Sequence, residues 1–275
     1  MSSSASAQPL SQVASWPVTD AAAAVVNADG VLATYGRLDA EFEWASVTKL
    51  LPALAVLGAV QQGLVALDEP AGPPGATVRH LLAHASGIAT DDDTVLSAPG
   101  RRRVYSNRGF DLLGELVETR AATAFPDWLQ ARVCRPLELG GTRLDGSPAH
   151  GARGPLRDLA RLGHELLRPT LLPAEVMAVA TSTAFPGLTG VLPGFGNQVP
   201  NDWGLGFEIR DGKAPHWTGS RNSPRTFGHF GRAGSFLWVD PVAGLACASL
   251  ADRAFGPWAM TAWPRLSDDV LDAYG

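Results

Sequence analysis

Lysine is scarce in this chain. Only Lys49 and Lys213 stand among its 22 lysine and arginine residues, and all the others are arginine. Aspartate and glutamate together number 27, so the formal net charge at pH 7 is −5. Proteins that bind nucleic acid need a cationic surface for the phosphates, and this balance argues against such a partner. The one basic run, three successive arginines at residues 101–103, is more typical of a solvated loop than of an anion site.

Cysteine is equally rare, and long apolar runs are absent. Cys134 and Cys247 match no metal-binding or redox spacing, so we expect both to be reduced core residues. No apolar stretch reaches the ~18 residues that a membrane-spanning helix requires. The candidate at residues 50–60 is too short and contains Pro52. The first residues have neither the basic start nor the apolar core of a secretory signal. These absences predict a cytoplasmic protein with no membrane partner.

The order of apolar patterns along the 275 residues predicts the fold class. Residues 21–36 show two β-prone runs around a turn, which is typical of a hairpin, and a helix is predicted over 46–62. Helical spacing dominates the middle of the chain. Short strand-like runs follow at residues 203–210, 226–231, 234–240 and 244–250, and a last helix at 257–274 is expected to be interrupted at Pro264.

Strands at both ends with helices between them predict an α+β fold. We expect one antiparallel sheet formed from both chain termini and flanked by helices, with an inserted helical subdomain. The whole chain is expected to be a single domain. Its sheet subdomain would span residues 15–70 and 200–275, and its helical subdomain residues 71–199. The cleft where the helical part meets the sheet is the default place for a functional site.

Ser46 and Lys49 are the first candidate catalytic pair. On a helix their i, i+3 spacing places both side chains on one face. A serine hydroxyl is a weak nucleophile until a neighbouring base takes its proton, and a lysine desolvated by apolar neighbours could act as that base. Arginine could not, because it does not lose its proton in proteins. The alternative is that Ser46 caps the helix while Lys49 extends to solvent.

Two later motifs carry further candidates. Tyr105 and Asn107 lie where a helix is predicted to begin, and His229 lies on a predicted strand before a glycine-containing turn. Each has an ordinary structural alternative, in which Asn107 caps the helix, Tyr105 packs in the core and His229 is a satisfied strand histidine. Any one of these matches alone favours that alternative.

Together the three motifs change this interpretation. S-x-x-K at residues 46–49, Y-x-N at 105–107 and H-x-G at 229–231 occur in the order found in the penicillin-recognising serine hydrolases. That superfamily includes class C β-lactamases, D-alanyl-D-alanine carboxypeptidases and related esterases. The surrounding segments "TVRHLLAHASGI" and "GHFGRAGSFLWVDP" are similar too, and the resemblance covers roughly residues 20–252.

The resemblance implies a reaction through an acyl-enzyme. Ser46 would attack an ester or amide carbonyl, and Lys49 and Tyr105 would share the proton transfers. Asn107 would orient Lys49 and the substrate. The backbone amides of Ser46 and Arg232 would form the oxyanion hole, and water would release the acyl group. The partner implied is therefore a small-molecule ester or amide, and no cofactor or metal is implied.

The chain departs from the family pattern in two places. Many members carry K-T-G on the last catalytic strand, whereas His229, Phe230 and Gly231 stand here. Phenylalanine replaces a hydroxyl that would help to hold a substrate carboxylate, which favours an esterase or amidase over a β-lactamase, although Arg232 or Arg225 could compensate. The N-terminal helix of the family is expected here only as a stub at residues 9–15.

Three competing functions remain open. A transacylase would use the same acyl-enzyme but pass the acyl group to a bound acceptor. A catalytically silent binding protein could share the fold, although retention of Ser46, Lys49 and Tyr105 argues against it. A zinc site could use His80 and His84, spaced i, i+4, but no motif supplies a third ligand. The oligomeric state cannot be predicted from these patterns.

Overall fold

Strands at both ends of the chain enclose a largely helical middle. The structure is a computed structural model, and it describes residues 9–275. A 3₁₀ helix occupies Pro9–Ser15, at the position of the expected N-terminal stub. The strands are β1 (Ala21–Asn27), β2 (Gly30–Tyr35), β3 (Glu41–Glu43), β4 (Arg143–Leu144), β5 (Ala152–Pro155), β6 (Gly190–Leu192), β7 (Gly196–Gln198), β8 (Glu208–Ile209), β9 (Phe227–Gly231), β10 (Ser235–Asp240) and β11 (Leu245–Ala251). The α-helices are α1 (Leu50–Gln61), α2 (Val78–Leu82), α3 (Asn107–Ala121), α4 (Phe125–Leu129, continued by a π-helical turn), α5 (Leu156–Leu167), α6 (Ala174–Ala180) and α7 (Pro257–Tyr274).

The two ends of the chain supply one antiparallel sheet, as predicted. Its six strands follow the order β2-β1-β11-β10-β9-β8. The N-terminal hairpin therefore pairs with the last strand of the chain, from Ala21 opposite Ala251 to Val26 opposite Ala246. Two smaller sheets, β3-β5-β4 and β6-β7, lie outside it. This confirms the α+β fold class.

The sheet is covered on both faces, which explains why β1 is apolar throughout. Ala22, Ala24 and Val26 belong to the larger core, against which α5 packs. Ala21, Ala23 and Val25 belong to a second core, which includes residues of α7 and the 3₁₀ helix. Successive side chains of a strand point to opposite faces, so one run of small residues serves both cores.

The last helix is continuous, so the interruption expected at Pro264 is wrong. α7 runs unbroken through that residue. A proline in a helix interior costs about 3 kcal/mol because a backbone hydrogen bond is lost. Trp263, Leu266 and Val270 are all fully buried in the second core, and burial of such side chains contributes about 1.5–3 kcal/mol each. This packing outweighs the missing bond.

The predicted strand at residues 203–210 is also largely wrong. Only Glu208 and Ile209 are strand residues, because the chain turns tightly just before them. Gly206 has a φ of +94°, and a Cβ at that position would overlap Ala53 of α1. The close contact with α1 therefore replaces extended pairing with a turn.

The basic run at residues 101–103 is only in part a solvated loop. Arg103 is buried, and its guanidinium donates to the carbonyls of Asn201 at 3.0 Å, Ala83 at 2.8 Å and Phe185 at 2.9 Å. A guanidinium has five N–H donors and can satisfy several carbonyls together. Arg103 therefore joins three separate segments of the chain.

No helix within residues 9–275 has both the length and the hydropathy needed to cross a bilayer. Both cysteines are buried and free. Burial raises the pKa of the Cys134 thiol to about 12.

Candidate active site

Ser46 lies in a 3₁₀ turn, Ala45–Lys49, that leads directly into α1. Ala45 has a φ of +44°, in the left-handed region that non-glycine residues rarely adopt. The turn is anchored through Trp44, whose indole donates to Gly154 O at 3.2 Å and whose carbonyl accepts from Ser235 Oγ at 2.7 Å. These contacts fix the direction in which the chain enters the helix, and with it the direction of Ser46.

Lys49 does not extend to solvent. Its side chain is fully buried, and Nζ lies 3.3 Å from Ser46 Oγ, 2.7 Å from Asn107 Oδ1 and 3.0 Å from the carbonyl of Ala149. Burial lowers the pKa of Lys49 to about 7, although the charges of Asp111 and Asp91 act in the opposite direction. A neutral amine has two N–H donors and one lone pair. Because Asn107 and Ala149 accept the two N–H groups, the lone pair is directed at the Ser46 hydroxyl.

Asn107 connects this pair to α3, and it is not the helix cap. Ser106 caps the helix, with Oγ accepting from Gly109 N at 2.9 Å. The Asn107 side chain is therefore available to bind elsewhere. Its Oδ1 accepts from Lys49, and its Nδ2 donates to Asp91 Oδ1 at 2.7 Å. Asp91 thus orients the amide so that its oxygen faces the lysine.

An aspartate in place of Asn107 should shift the pH dependence of acylation. The change is made together with Asp91→Asn, because the new carboxylate would otherwise lie 2.7 Å from that of Asp91 and share a proton with it. A carboxylate 2.7 Å from Nζ then favours the charged form of Lys49 and raises its pKa. We expect the midpoint of the acylation rate against pH to rise by about one unit or more, which lowers the rate at pH 7 by about fivefold or more. Asp91→Asn alone is the matched control, because it removes a charge that raises the pKa of Lys49 and should leave the midpoint unchanged or lower. A midpoint that moved down in the double variant would contradict this geometry.

Tyr105 completes the group around the serine. Its ring centroid lies 4.7 Å from Lys49 Nζ, and its hydroxyl lies 3.5 Å from His229 Nε2. Burial raises the pKa of the phenol above its usual range, and the neighbouring Ser46 side chain offsets this only in part. At neutral pH the Tyr105 phenol therefore keeps its proton. It can give this proton to another group only if it receives one from a neighbour at the same time.

His229 faces this group from β9 as a neutral ring. Burial, together with the charge of Lys49, lowers the pKa of His229 to about 3. Its Nδ1 lies 2.7 Å from the carbonyl of Phe230, which can only accept, so Nδ1 carries the proton. The other nitrogen, Nε2, is therefore an acceptor directed at the hydroxyl of Tyr105.

Gly231 allows β9 to approach the turn that carries the serine. A Cβ at this glycine would overlap Trp44 O and Ser235 Oγ and would lie 3.1 Å from Ala45 Cβ. The next residue, Arg232, lines the cavity beside Ser46. Within residues 9–275 neither the Ser46 amide nor the Arg232 amide donates a hydrogen bond. The two amides that the resemblance assigns to the oxyanion hole therefore have no acceptor among the described residues.

Gly231→Ala should therefore damage both stability and acylation. The overlap is with backbone as well as side-chain atoms, so β9 and the serine turn must separate. We expect the free energy of unfolding to fall by about 1–3 kcal/mol and the acylation rate to fall by about 10²-fold. Thermal unfolding and the rate of adduct formation measure the two effects. Gly140→Ala is the control, since its Cβ would meet nothing within 4 Å. A Gly231→Ala protein that melts and reacts like wild type would overturn this account.

The site lies in a large cavity between the sheet and the helical part of the chain. The cavity volume is about 1330 Å³, and Ser46, Tyr105, Asn107, His229, Phe230 and Arg232 all line it. The structure thus brings together every residue that the three motifs singled out. Phe230 is mostly buried, and its ring packs 5.0 Å from that of Phe255. Arg225 is not among the residues that line the cavity.

The structure adds residues that the sequence motifs did not indicate as part of the site. Asp91 binds Asn107, the Ala149 carbonyl binds Lys49, and the rings of His84 and Trp203 pack against Tyr105 at 4.6 and 5.9 Å. His80 instead stacks on Phe185 at 4.3 Å. Within the described residues, no group of three or more His, Cys, Asp or Glu side chains is placed to hold a metal ion.

Comparison with known proteins gives a consistent result. The family model described as Beta-lactamase matches residues 17–272. Penicillin-binding protein 4* of Bacillus subtilis is 27% identical over 136 residues, which is 38% of this chain and 30% of that protein. The chain therefore aligns with less than a third of that relative's length.

Solved structures extend the similarity to the whole chain. A crystal structure of a beta-lactamase from Mycobacterium bovis is 54% identical, with a TM-score of 0.96, and the match covers 97% of this chain and 99% of that one. EstCE1, described as a hydrolase with promiscuous acyltransferase activity, has a TM-score of 0.79 at 17% identity, with coverage of 97% and 96%. At that identity the second similarity shows a shared fold.

Proposed function

Because the chain belongs to the beta-lactamase family, whose model spans residues 17–272, we propose that it is a serine hydrolase that cleaves an ester or amide through an acyl-enzyme on Ser46. One observation carries this proposal. The buried Lys49 amine has both its N–H groups engaged by Asn107 and Ala149, which leaves its lone pair 3.3 Å from the Ser46 hydroxyl. Burial lowers the pKa of Lys49 to about 7, so the neutral amine that carries this lone pair is populated at neutral pH.

The proposed acylation moves one proton and exchanges one bond. Lys49 Nζ takes the proton of Ser46 as Oγ bonds to the substrate carbonyl carbon, and the carbonyl oxygen becomes an oxyanion at the amides of Ser46 and Arg232. The tetrahedral intermediate then expels its leaving group, which receives the proton from Lys49 through the hydroxyl of Tyr105. His229, as a neutral acceptor, holds that hydroxyl in place. Water afterwards attacks the acyl-enzyme with the same groups acting in reverse.

Two observations bear on the substrate. Phe230 offers no hydroxyl to a substrate carboxylate, which supports an ester or amide without one. A β-lactam is the second candidate, and the 54% identity to a structure described as a beta-lactamase favours it. Arg232 lines the cavity without an ion-pair partner in the described part of the chain, and it could supply the cation that such a carboxylate needs.

Transfer of the acyl group to a bound acceptor is a further alternative. The first half of the reaction is the same, and a cavity of about 1330 Å³ is large enough to hold an acceptor beside the acyl-enzyme. The fold is also shared with a hydrolase described as having promiscuous acyltransferase activity. Hydrolysis and transfer differ only in which molecule attacks the acyl-enzyme.

Product analysis tests the proposal. The protein is mixed with an activated acyl ester, an anilide or a penicillin, each with and without an added alcohol or amine. We expect the free acid as the main product and a higher kcat/KM for the ester than for the penicillin. A higher kcat/KM for the penicillin would instead make the protein a β-lactamase. Predominant transfer to the alcohol or amine would make it a transacylase, and no turnover of any substrate would leave a silent binding protein.

A further inference from the structure

One side of the cavity is a wall of phenylalanine rings. Phe230 and Phe255 face the cavity with their ring centroids 5.0 Å apart. Phe195 packs behind both, at 5.7 Å from each. These three residues are called the phenylalanine wall below. Aromatic pairs at this spacing and tilt attract each other, so the wall is a preformed apolar surface.

The phenylalanine wall is held rigidly beside the reacting centre. The amide of Phe255 donates to the carbonyl of Arg232 at 2.9 Å, which ties the wall to the residue whose own amide is the proposed oxyanion donor. A Cβ at Gly194 would lie 2.6 Å from Phe255 Cε1, so the hairpin of β6 and β7 closes over the ring. A carbonyl seated at the Ser46 and Arg232 amides therefore brings one of its substituents close to the wall.

Another part of the cavity lining has different chemistry. There Glu41 and Glu43 form ion pairs with Arg153 at 3.0 and 2.6 Å. An apolar substituent gains nothing by displacing solvent from these charges, whereas every methylene placed on the phenylalanine wall is removed from water. Given the proposed acyl-enzyme function, on which this step rests, we propose that the substrate carries an alkyl or aryl substituent next to its scissile carbonyl and that the phenylalanine wall binds it.

Affinity can be measured without catalysis by working in Ser46→Ala. Calorimetry on that variant gives dissociation constants for two ester series, one lengthening the acyl chain of methyl esters and one lengthening the alcohol of acetate esters. We expect affinity to rise about fourfold per added methylene in one series, which also assigns the substituent to the acyl or the leaving side. The slope is the rise in the logarithm of the affinity per added methylene. Adding Phe255→Ala, or Phe255→Leu if the first variant folds poorly, should at least halve this slope.

The binding experiment has its own control, and the results that would contradict it differ from those that would contradict the hydrolase function. Val242→Ala removes an apolar side chain that is 65% exposed in the turn between β10 and β11 and that is not among the residues lining the cavity, so it should leave the slope unchanged. Flat affinities in both series, or a slope that survives both Phe255 variants, would overturn the proposal. Because Ser46→Ala forms no acyl-enzyme, loss of the hydrolase function cannot produce either result.

A different observation concerns His84, which accepts hydrogen bonds from both sequence neighbours of Tyr105. Its carbonyl accepts from the amide of Val104 at 2.9 Å, and its Nδ1 accepts from the amide of Ser106 at 3.1 Å. Its ring lies 4.6 Å from that of Tyr105. Three contacts from one residue thus fix the backbone on each side of the tyrosine and one face of its ring.

The surroundings of His84 suit this role. The side chain of His84 is buried. Its backbone has a φ of +53°, a left-handed conformation that histidine, asparagine and glycine tolerate best. Because Nδ1 accepts from Ser106, the ring proton is on Nε2, which has no hydrogen-bond partner in the described residues. We infer that His84 is a positioning residue that holds the hydroxyl of Tyr105 between Ser46 and His229.

Two substitutions separate positioning from folding. His84→Asn keeps an acceptor for the Ser106 amide and tolerates the left-handed backbone, whereas His84→Gly tolerates the backbone but offers no acceptor. We expect kcat for an activated ester to fall about 10²-fold in His84→Gly with KM little changed, and to recover most of this in His84→Asn. An unchanged kcat in His84→Gly, or equal losses in two variants that melt like wild type, would overturn the inference.

A measurement on the wild-type protein gives an independent answer. Nitrogen-15 chemical shifts of the His84 ring at pH 7 report which nitrogen is protonated. We expect the neutral form with the proton on Nε2, which the bond from Ser106 requires. A proton on Nδ1 would exclude that bond and with it the inference, whatever the stability of the variants.

Discussion

Replacing Ser46 with alanine should abolish the acyl-enzyme and lower kcat/KM by at least about 10⁴-fold. The variant lacks the only atom that the proposed mechanism bonds to substrate, while Lys49 keeps its hydrogen bonds to Asn107 and Ala149. Intact-protein mass spectrometry after mixing with an activated acyl ester, and separately with a penicillin, should show an adduct on wild type and none on the variant.

The control for this experiment is an exposed serine outside the cavity. Ser182 follows α6, and its hydroxyl donates only to Ala178 O at 2.6 Å, so Ser182→Ala should acylate like wild type. Circular dichroism and thermal unfolding should show that Ser46→Ala is folded. An adduct of equal mass on Ser46→Ala would place the nucleophile elsewhere. A folded wild-type protein that forms no adduct with either reagent would favour the silent binding protein.

Much of the fold could be predicted because its signals are local. The hairpin at residues 21–36 is marked by apolar runs around a turn, and β9, β10 and β11 by short β-prone runs between glycines. The two errors arose where distant contacts decide the outcome. Pro264 continues a helix because Trp263 is anchored in the second core, and Gly206 turns a strand-like run because α1 approaches it.

The candidate site was predictable in part for the same reason. The i, i+3 spacing of Ser46 and Lys49 shows their proximity directly, since it depends only on a helical turn. The resemblance singled out Asn107, but the carbonyl of Ala149 and the carboxylate of Asp91 come from other segments and leave no local signal. These partners orient the Lys49 amine, one by accepting its N–H group and the other through Asn107.

The second lysine shows the limit of composition as a guide. Lys213 is also buried, but its Nζ donates to Asp202 O at 2.7 Å and forms an ion pair with Glu208 at 2.5 Å. It therefore holds the segment around β8 together. Scarcity singled out both lysines equally, and only their partners distinguish a structural cation from a candidate base.

The wild-type protein should acylate faster as pH rises through about 7. Burial lowers the pKa of Lys49 to about that value, and only the neutral amine can take the proton of Ser46. Below pH 7 the amine is protonated and its lone pair is lost, so the rate should fall about tenfold per pH unit well below the midpoint. His229 contributes nothing in this window, because burial keeps its pKa at about 3.

Lys49→Arg should be nearly as damaging as loss of the serine, with acylation slowed by about 10³–10⁴-fold and the rise near pH 7 absent. The guanidinium keeps the charge but cannot lose its proton, so it cannot accept one from Ser46. Lys49→Met, which has neither charge nor base, is the matched variant, and stopped-flow acylation from pH 5 to 9 measures both. If charge were what mattered, Lys49→Arg would retain much of the rate and Lys49→Met would lose it. If Lys49 is the base, both fall together and neither responds to pH, because the group that titrates in wild type is then missing from each.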